Sequence, residues 1–114
     1  MANQFNECLK RYQLTVFKEE WGALQRGIEK ESLRVKPDGL ISLSPHPTAL
    51  GSALTNPYIT TDFSEALLEL ITPVSRTIDS CLQELENIHR YTVQNIENDE
   101  ILWVTRMPCP LRSD

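Results

Sequence analysis

The sequence predicts an α+β fold, and the order of its segments supports this prediction. Helical periodicity covers residues 5–24 and 77–97, and strand-like patterns cover 26–35 and 101–105. The full order is helix, hairpin, loop, strand or helix, helix and strand, without the regular strand–helix alternation of a parallel sheet. With 114 residues, of which 40% are hydrophobic, the chain can enclose one small core.

Charge and cysteine content exclude several classes of protein. The formal charge of −5, with basic residues interrupted by acids, argues against a nucleic-acid partner. The three cysteines, Cys8, Cys81 and Cys109, are widely spaced, so neither a disulfide framework nor a zinc site is expected. Free thiols suit a reducing compartment. The N-terminus has no apolar core of the kind that a signal peptide needs, and no apolar run is long enough to span a membrane. We therefore expect a cytoplasmic protein without a membrane partner.

The first helix is predicted from about residue 5 to residue 24. Asn3 or Asn6 can cap its start, and Gly22 marks a turn near its end. The apolar positions recur at mostly three- and four-residue spacing: Cys8, Leu9, Tyr12, Val16 and Phe17.

Residues 26–35 predict a strand, because alternate side chains along a strand fall on opposite faces. Glu29 and Glu31 then share a face with two apolar residues, Leu33 and Val35. The sequence therefore predicts two carboxylates that point the same way from one strand.

A turn and a loop are expected after this strand. Residues 36–39, Lys-Pro-Asp-Gly, have strong turn chemistry, since proline presets one dihedral and glycine accepts a positive φ. Residues 40–43 are expected to return as a short partner strand. Residues 44–57 predict an ordered loop, with Leu50 and Leu54 as candidate anchors.

Residues 60–72 fit either a helix or a strand. As a helix, Asp62, Glu65 and Glu69 would share one face. As a strand, Asp62 would lie in the entry turn or before a bulge, and alternate residues would share a face. Those alternate residues are Phe63, Glu65, Leu67, Glu69 and Ile71. The flanking Thr and Ile residues favour the strand only modestly, so the pattern leaves both open.

The clearest helix is predicted at 77–97, with Thr77 or Asp79 as its cap. Its apolar stripe follows helical spacing: Ile78, Leu82, Leu85, His89, Thr92 and Ile96. Residues 101–105 predict a final strand, which the breakers at 107–110 follow.

Carboxylates inside apolar runs are the unusual feature of this sequence, because burying a carboxylate is costly unless a cation meets it. Glu29 and Glu31 fit either an exposed strand face or a wall for magnesium, which prefers hard oxygen ligands. Asp62, Glu65 and Glu69 fit either a second such wall or the solvent face of a helix. For this second group the pattern alone favours the solvent face.

No motif for nucleophilic catalysis or phosphate binding is present in the sequence. Ser64 lacks a Gly-x-Ser-x-Gly setting, and the four glycines are scattered. His46 and His89 have no metal-ligand spacing, and we interpret them as a loop histidine and a core histidine. We therefore assign neither a catalytic side chain nor a cofactor-binding residue.

Four blocks of the sequence closely resemble the N-terminal part of the proteobacterial glutamate–cysteine ligases, and they agree with that family in order and spacing. The block at 59–73 is the most specific. The four blocks are 26–35, 45–47 with 49–55, 59–73, and Leu102-Trp103 with Met107-Pro108-Cys109. The resemblance covers about 25–109 and implies that residues 1–114 are an N-terminal fragment of the family's catalytic domain.

The resemblance implies a fold and a reaction. The family's fold is similar to that of glutamine synthetase, so this chain would supply an incomplete part of a curved, largely antiparallel sheet with outer helices. The implied reaction is the ligation of L-glutamate, through its γ-carboxylate, to L-cysteine, which is the first step of glutathione biosynthesis. It implies ATP and Mg²⁺ as cofactors and a γ-glutamyl phosphate intermediate. The fragment alone is then expected to be inactive and to need the rest of its own chain.

The resemblance also implies site residues. Glu29 and Glu31 match the acidic pair of the family's first strand. Asp62 and Glu69 match the acids near the two ends of the second motif, so all four are implied magnesium ligands. Phe63 matches an aromatic residue that lines the family's cysteine pocket.

Some positions depart from the family's pattern or carry no assigned role. Asn56 stands where a histidine is expected, and Val104 and Arg106 stand where proline and serine are more usual. Glu65 is interpreted as structural. These departures concern loop contacts and leave the implied ligands unchanged.

Two alternatives to this function follow from the residues themselves. The first is a non-catalytic α+β interaction domain whose acids lie on the surface. The second is a related carboxylate–amine ligase with another amine acceptor, since one aromatic residue does not separate cysteine from other small amino acids.

Overall fold

The structure, a computed structural model, describes residues 2–14, 23–104 and 108–111. These residues form two helices and four strands, with one 3₁₀ turn, Thr48–Leu50, between the first and second strands. In chain order the elements are α1 (Ala2–Leu14), β1 (Glu29–Val35), β2 (Ile59–Thr61), β3 (Leu67–Ile71), α2 (Ile78–Asn95) and β4 (Ile101–Leu102).

The four strands form one antiparallel sheet in the order β2-β3-β1-β4. In the central pair, Glu31 of β1 lies opposite Glu69 of β3. At the other end of β1, Arg34 lies opposite Leu102 of β4. Because side chains alternate along each strand, Glu31 and Arg34 project from opposite faces of the same sheet.

Residues 60–72 form a hairpin and not a single element. β2 and β3 pair with each other, and residues 62–66 make the turn between them. The turn is closed by two backbone hydrogen bonds, from Asp62 N–H to the Leu67 carbonyl at 3.3 Å and from Leu67 N–H to the Ser64 carbonyl at 3.0 Å. The helix interpretation is therefore wrong and the strand interpretation is confirmed for 67–71. Phe63 and Glu65 lie in the turn and not on the strand face.

One face of the sheet, here called the core face, packs against α2. Its central side chains Leu68 and Leu70 are both 0% exposed. The buried cluster comprises Leu50, Ile59, Leu68, Leu70 and Leu102, against which Leu85, Ile88 and Ile96 pack. This hydrophobic cluster thus lies on one side of the sheet, whereas the other side carries glutamates beside the partly buried Leu33, Leu67 and Ile71.

α2 begins after Thr77, whose hydroxyl accepts a hydrogen bond from the backbone N–H of Ser80 at 3.1 Å, so the predicted cap is confirmed. Its predicted apolar stripe is wrong over the first turns, where Ile78 is 64% exposed and Leu82 is 50% exposed. The buried residue there is Cys81, whose sulfur lies 3.6 Å from the hydroxyl oxygen of Thr72. Near the end of the sheet, the buried side of α2 is therefore the side that carries Cys81 and not the side of the predicted apolar stripe.

The predicted turn after β1 forms around Gly39, whose φ of 83° favours glycine. The Asp38 carboxylate accepts a hydrogen bond from Leu40 N–H at 3.0 Å and braces the turn. The predicted return strand is reduced to a single bridge between Ile41 and Val35.

The remaining predictions for loops and ends have mixed outcomes. Leu50 is 1% exposed and anchors its loop, whereas Leu54 is 96% exposed, so that second anchor is wrong. α1 begins at Ala2, earlier than predicted, while the predicted helix at 15–22 with its turn at Gly22 lies outside the described residues. β4 ends at Leu102, before the predicted end at 105. In the described part of the chain, no helix combines the length and apolar character needed to cross a bilayer.

Candidate functional site

The face of the sheet opposite α2, here called the acidic face, carries three carboxylates. Glu31 lies directly across from Glu69 in the β1–β3 register, and Glu29 lies across from Ile71. Glu29 and Glu31 are exposed, whereas Glu69 is partly buried. The prediction that Glu29 and Glu31 share a face is confirmed, and the hairpin adds Glu69 to that face.

Asp62 joins these carboxylates from the turn that follows β2. The pKa of Glu69 is raised, first by burial and then by the negative charges of Glu29, Asp62 and Glu31. A charge acts on a neighbour in this way only when the two are close. The four acids implied as metal ligands therefore share one electrostatic neighbourhood.

Like charges placed directly across a sheet destabilise it unless a cation compensates them. Among the described residues, the ion pairs join Arg34 to Glu100 and Arg90 to Glu86, and neither pair involves the acidic face. Within residues 2–14, 23–104 and 108–111, no group of three or more His, Cys, Asp or Glu side chains has the arrangement of a metal site. The donor chemistry still suits magnesium, which usually takes one or two carboxylates together with phosphate oxygens and waters. The assignment of four magnesium ligands stays a prediction.

Phe63 and Glu65 lie in the turn between β2 and β3. The Phe63 side chain is 94% exposed, so its ring is available to a ligand, and its place in a cysteine pocket stays a prediction. Glu65 is also exposed, and its backbone carbonyl accepts a hydrogen bond from Arg34 Nη2 at 2.9 Å. The main chain of Glu65 therefore has a structural contact.

The most buried charged group on the core face is Arg34, and nothing in the sequence pattern predicts its burial. Arg34 is 1% exposed, and its Nη1 lies 2.7 Å from a carboxylate oxygen of Glu100, which is also buried. The other Glu100 oxygen accepts a hydrogen bond from the Ser42 hydroxyl. Nη2 of Arg34 donates to three backbone carbonyls, those of Ser44 at 2.7 Å, Pro45 at 3.1 Å and Glu65 at 2.9 Å. A buried arginine that has both a carboxylate and carbonyl acceptors is stable where an unpaired charge would not be.

The two histidines lie away from the acidic face. Burial, and then the positive charge of Arg34, lower the pKa of His46. Both ring nitrogens of His46 are buried, and in the described part of the chain neither meets hydrogen-bond geometry, although a backbone contact at Gly51 opposes the lowering of the pKa. Burial also lowers the pKa of His89, with a smaller contribution from the positive charge of Lys30. These surroundings favour neutral imidazoles. The interpretation of His46 as a loop histidine is confirmed, whereas His89, interpreted as a core histidine, is only partly buried on α2.

Asn56, which departs from the expected pattern, braces the chain as it enters β2. Its amide nitrogen donates to the Leu50 carbonyl at 2.9 Å. Its amide oxygen accepts from the backbone N–H of Tyr58 at 2.9 Å and of Ile59 at 3.2 Å. Asparagine often organises turns through such bonds, so the Asn-Pro pair at 56–57 is the signal that identifies this role.

Comparisons with known proteins agree with one another. A family model described as Glutamate-cysteine ligase matches residues 9–114. Glutamate–cysteine ligase of Alcanivorax borkumensis is 57% identical over 91 residues, which are 80% of this chain and 17% of that protein. The enzyme of the same name from Pseudoalteromonas translucida is 47% identical over 108 residues, which are 95% of this chain and 20% of that protein. The chain therefore spans about a fifth or less of the length of these relatives.

Solved structures give the same relationship in three dimensions. Glutamate–cysteine ligase from Francisella tularensis, in complex with AMP, superposes with a TM-score of 0.75 at 46% identity, covering 77% of this chain and 18% of that one. A bifunctional glutathione synthetase from Pasteurella multocida also gives a TM-score of 0.75, at 36% identity over 84% of this chain and 14% of that one. The predicted fold class, part of a glutamine-synthetase-like antiparallel sheet, is confirmed.

Proposed function

Because the chain belongs to the glutamate–cysteine ligase family, we propose that the full-length protein joins L-glutamate to L-cysteine in an ATP-dependent reaction. Here the full-length protein means the reading frame extended to the length of its relatives. The observation that carries the proposal is the acidic face, on which Glu31 and Glu69 oppose each other and no ion pair among the described residues involves them. Such an arrangement is unfavourable in itself and becomes favourable when cations are bound.

The chemistry of the reaction requires charge neutralisation more than it requires a nucleophile. An oxygen of the glutamate γ-carboxylate attacks the terminal phosphorus of ATP, and ADP leaves. The cysteine amino group then attacks the acyl carbon of γ-glutamyl phosphate, phosphate leaves and an amide bond forms. Bound magnesium supplies positive charge against the phosphate oxygens. This agrees with a site that offers carboxylates and to which we assign no catalytic serine or cysteine.

Residues of this chain have separate parts in the proposed site. Glu29, Glu31, Asp62 and Glu69 would hold magnesium. Phe63, with its ring 94% exposed, would contact the cysteine substrate from the turn between β2 and β3. Residues that bind the nucleotide are expected outside this chain, and the AMP complex of the Francisella tularensis relative supports nucleotide use by the family.

The proposal also states which part of the catalytic domain this chain forms. Residues 1–114 would form the N-terminal part of the catalytic domain, inactive without the rest of their own chain. The cytoplasmic location, expected from three separate cysteines that the structure leaves as free thiols, is part of the same proposal. Membership of a ligase family argues against the alternative of a non-catalytic interaction domain.

The test is magnesium-dependent ADP release with glutamate and cysteine, measured on the full-length protein and on residues 1–114 alone. We expect ADP only from the full-length protein and only when both amino acids are present. Replacing cysteine by other small amines tests the alternative of a related ligase. Turnover that is faster with another amine than with cysteine would reassign the acceptor.

A matched pair of variants tests the role of the acidic face. Glu29→Gln removes a charge with little change of volume, so we expect loss of turnover and a folded protein. Glu86→Gln is the control, because Glu86 lies on α2 with its side chain 58% exposed and a change there costs within about half a kcal/mol. Full activity in Glu29→Gln would contradict a magnesium-binding role for this residue.

A further inference from the structure

We propose that Arg34 is a positioning residue for the ligase site, because it fixes the turn that carries Asp62 and Phe63 onto the strand that carries Glu29 and Glu31. This inference rests on the proposed function. It assigns to Arg34 no contact with substrate or metal, since Arg34 lies on the core face and is 1% exposed. Its effect would pass through the backbone of residues 62–66.

The turn is attached to Arg34 at two consecutive carbonyls. The backbone N–H of Arg34 donates to the Ala66 carbonyl at 2.7 Å. The side-chain Nη2 of Arg34 donates to the Glu65 carbonyl at 2.9 Å. Backbone and side chain of one residue in β1 therefore hold adjacent peptide groups of the turn, which limits how the turn can pivot.

This attachment links the two acidic segments, which are β1 with Glu29 and Glu31 and the turn that begins at Asp62. Glu29 and Glu31 lie five and three residues before Arg34 on the same strand. Asp62 begins the turn whose far end Arg34 holds. The separation between the two acidic segments is consequently set at two places, by the β1–β3 ladder and by Arg34.

Arg34 is itself held rigidly. Glu100, just before β4, neutralises its charge at 2.7 Å and is held in turn by the Ser42 hydroxyl. The carbonyls of Ser44 and Pro45 accept from the same Nη2 that contacts the turn. A guanidinium presents donors in a fixed planar fork, whereas the lysine ammonium is a compact charge on a flexible stem. Lysine can therefore keep the charge near Glu100 but not the full set of carbonyl contacts.

The test compares Arg34→Lys with the unmodified full-length protein in steady-state ligation. We expect the KM for cysteine and the magnesium concentration for half-maximal rate each to rise about tenfold, because small displacements of positioning groups have large kinetic effects. The KM for ATP should change less than about twofold, since no nucleotide contact is assigned to this turn. A purely structural role would lower the amount of active enzyme, and thus the apparent kcat, while leaving the KM for cysteine unchanged. That outcome would overturn the proposal.

Two further variants supply a control and a second test of this proposal. Arg90→Lys is the matched control, because it makes the same substitution in an exposed ion pair on α2 and is expected to leave every constant unchanged. Glu100→Gln keeps the guanidinium and its carbonyl contacts but removes the charge partner, and we expect the same shifts at about threefold. Should Arg34→Lys fail to fold, Glu100→Gln carries the kinetic test.

Hydrogen exchange separates the failure of this inference from the failure of the proposed function. In Arg34→Lys, the amides of Asp62 and Leu67, which close the turn, should exchange about tenfold faster while the amides of α2 keep their rates. Equal acceleration in both segments, or none in the turn, would overturn the positioning role whether or not the protein ligates. Absence of ligation in the unmodified protein would instead refute the proposed function, and the exchange result would still decide whether Arg34 holds the turn.

Discussion

The two faces of the sheet handle negative charge in opposite ways. On the core face, Glu100 is buried and paired with Arg34 at 2.7 Å. On the acidic face, Glu69 lies opposite Glu31, and the pKa of Glu69 is raised by burial and by neighbouring acids. The same strands supply both faces, because alternate residues of one strand point in opposite directions.

This difference separates a charge that is paired within the chain from charges that we propose to bind a cation. A buried carboxylate is tolerated in the folded state when an arginine pairs with it and further hydrogen bonds satisfy both groups, as the Ser42 hydroxyl does for Glu100 and backbone carbonyls do for Arg34. Carboxylates that face one another without an ion-pair partner among the described residues are unfavourable until a cation arrives. The magnesium proposal follows from the second case, and the positioning role of Arg34 follows from the first.

Truncating adjacent leucines should give the largest contrast between the faces. Leu68 is 0% exposed in the core cluster, whereas Leu67 lies on the acidic face and is only partly buried. We expect Leu68→Ala to cost about 2–5 kcal/mol of unfolding free energy, because a cavity replaces packed side chains. Leu67→Ala should cost less than about 1 kcal/mol, since its side chain loses little buried area. Amide exchange of the β3 backbone in the full-length protein measures both.

The Leu67→Ala variant is also the control for backbone effects, because both variants introduce alanine into the same strand. Equal costs at Leu67 and Leu68 would show that other parts of the full-length protein bury the acidic face as well. The contrast between a packed face and an open one would then not hold.

Replacing a glutamate by glutamine should have opposite signs on the two faces. Glu100→Gln leaves Arg34 buried without a charge partner, so we expect a loss of about 2 kcal/mol. Glu69→Gln removes repulsion from Glu31, so without magnesium we expect a gain of about 0.5 kcal/mol. The apparent melting temperatures of the full-length protein in a chelating buffer measure both changes.

Adding magnesium sharpens this test. The unmodified protein should gain thermal stability on binding the ion, whereas Glu69→Gln should gain less because a ligand is missing. Destabilisation by Glu69→Gln in the chelating buffer would show that the ionised side chain makes a favourable contact. That result would argue against an uncompensated acidic face.

The parts of this fold that depend on local pattern could be predicted from the sequence. The two-residue period of β1 placed Glu29 and Glu31 on one face, and the Lys-Pro-Asp-Gly run at 36–39 specified its turn. The sequence pattern did not reveal that residues 59–71 form two strands. The turn between them at 62–66, Asp-Phe-Ser-Glu-Ala, lacks the glycine, proline and asparagine that usually mark a turn.

Features that depend on distant contacts could not be predicted. Arg34 and Glu100 are 66 residues apart, and nothing in the local pattern of either segment indicates that they meet. Arginine is rarely buried, so the residue type at position 34 gives no indication of a buried side chain. The resemblance to a known family supplied the ligand assignments, which strand periodicity by itself left open.

The smallest expected effect concerns His46, whose ring lies close enough to Arg34 for the two charges to interact. Burial first, and Arg34 second, lower the pKa of His46 below its usual 6.5. The folded state therefore binds fewer protons than the unfolded state at acid pH, so the stability that is present above about pH 6.5 is lost as the pH falls below it. After correction for intrinsic rates, we expect the amides of Leu50 and Gly51 to exchange faster at pH 5.5 than at pH 7.5. The acceleration should not exceed about tenfold, because water screens the charge of a half-buried ring. His46→Gln should abolish that pH dependence, and its persistence in this variant would assign the effect to another titratable group.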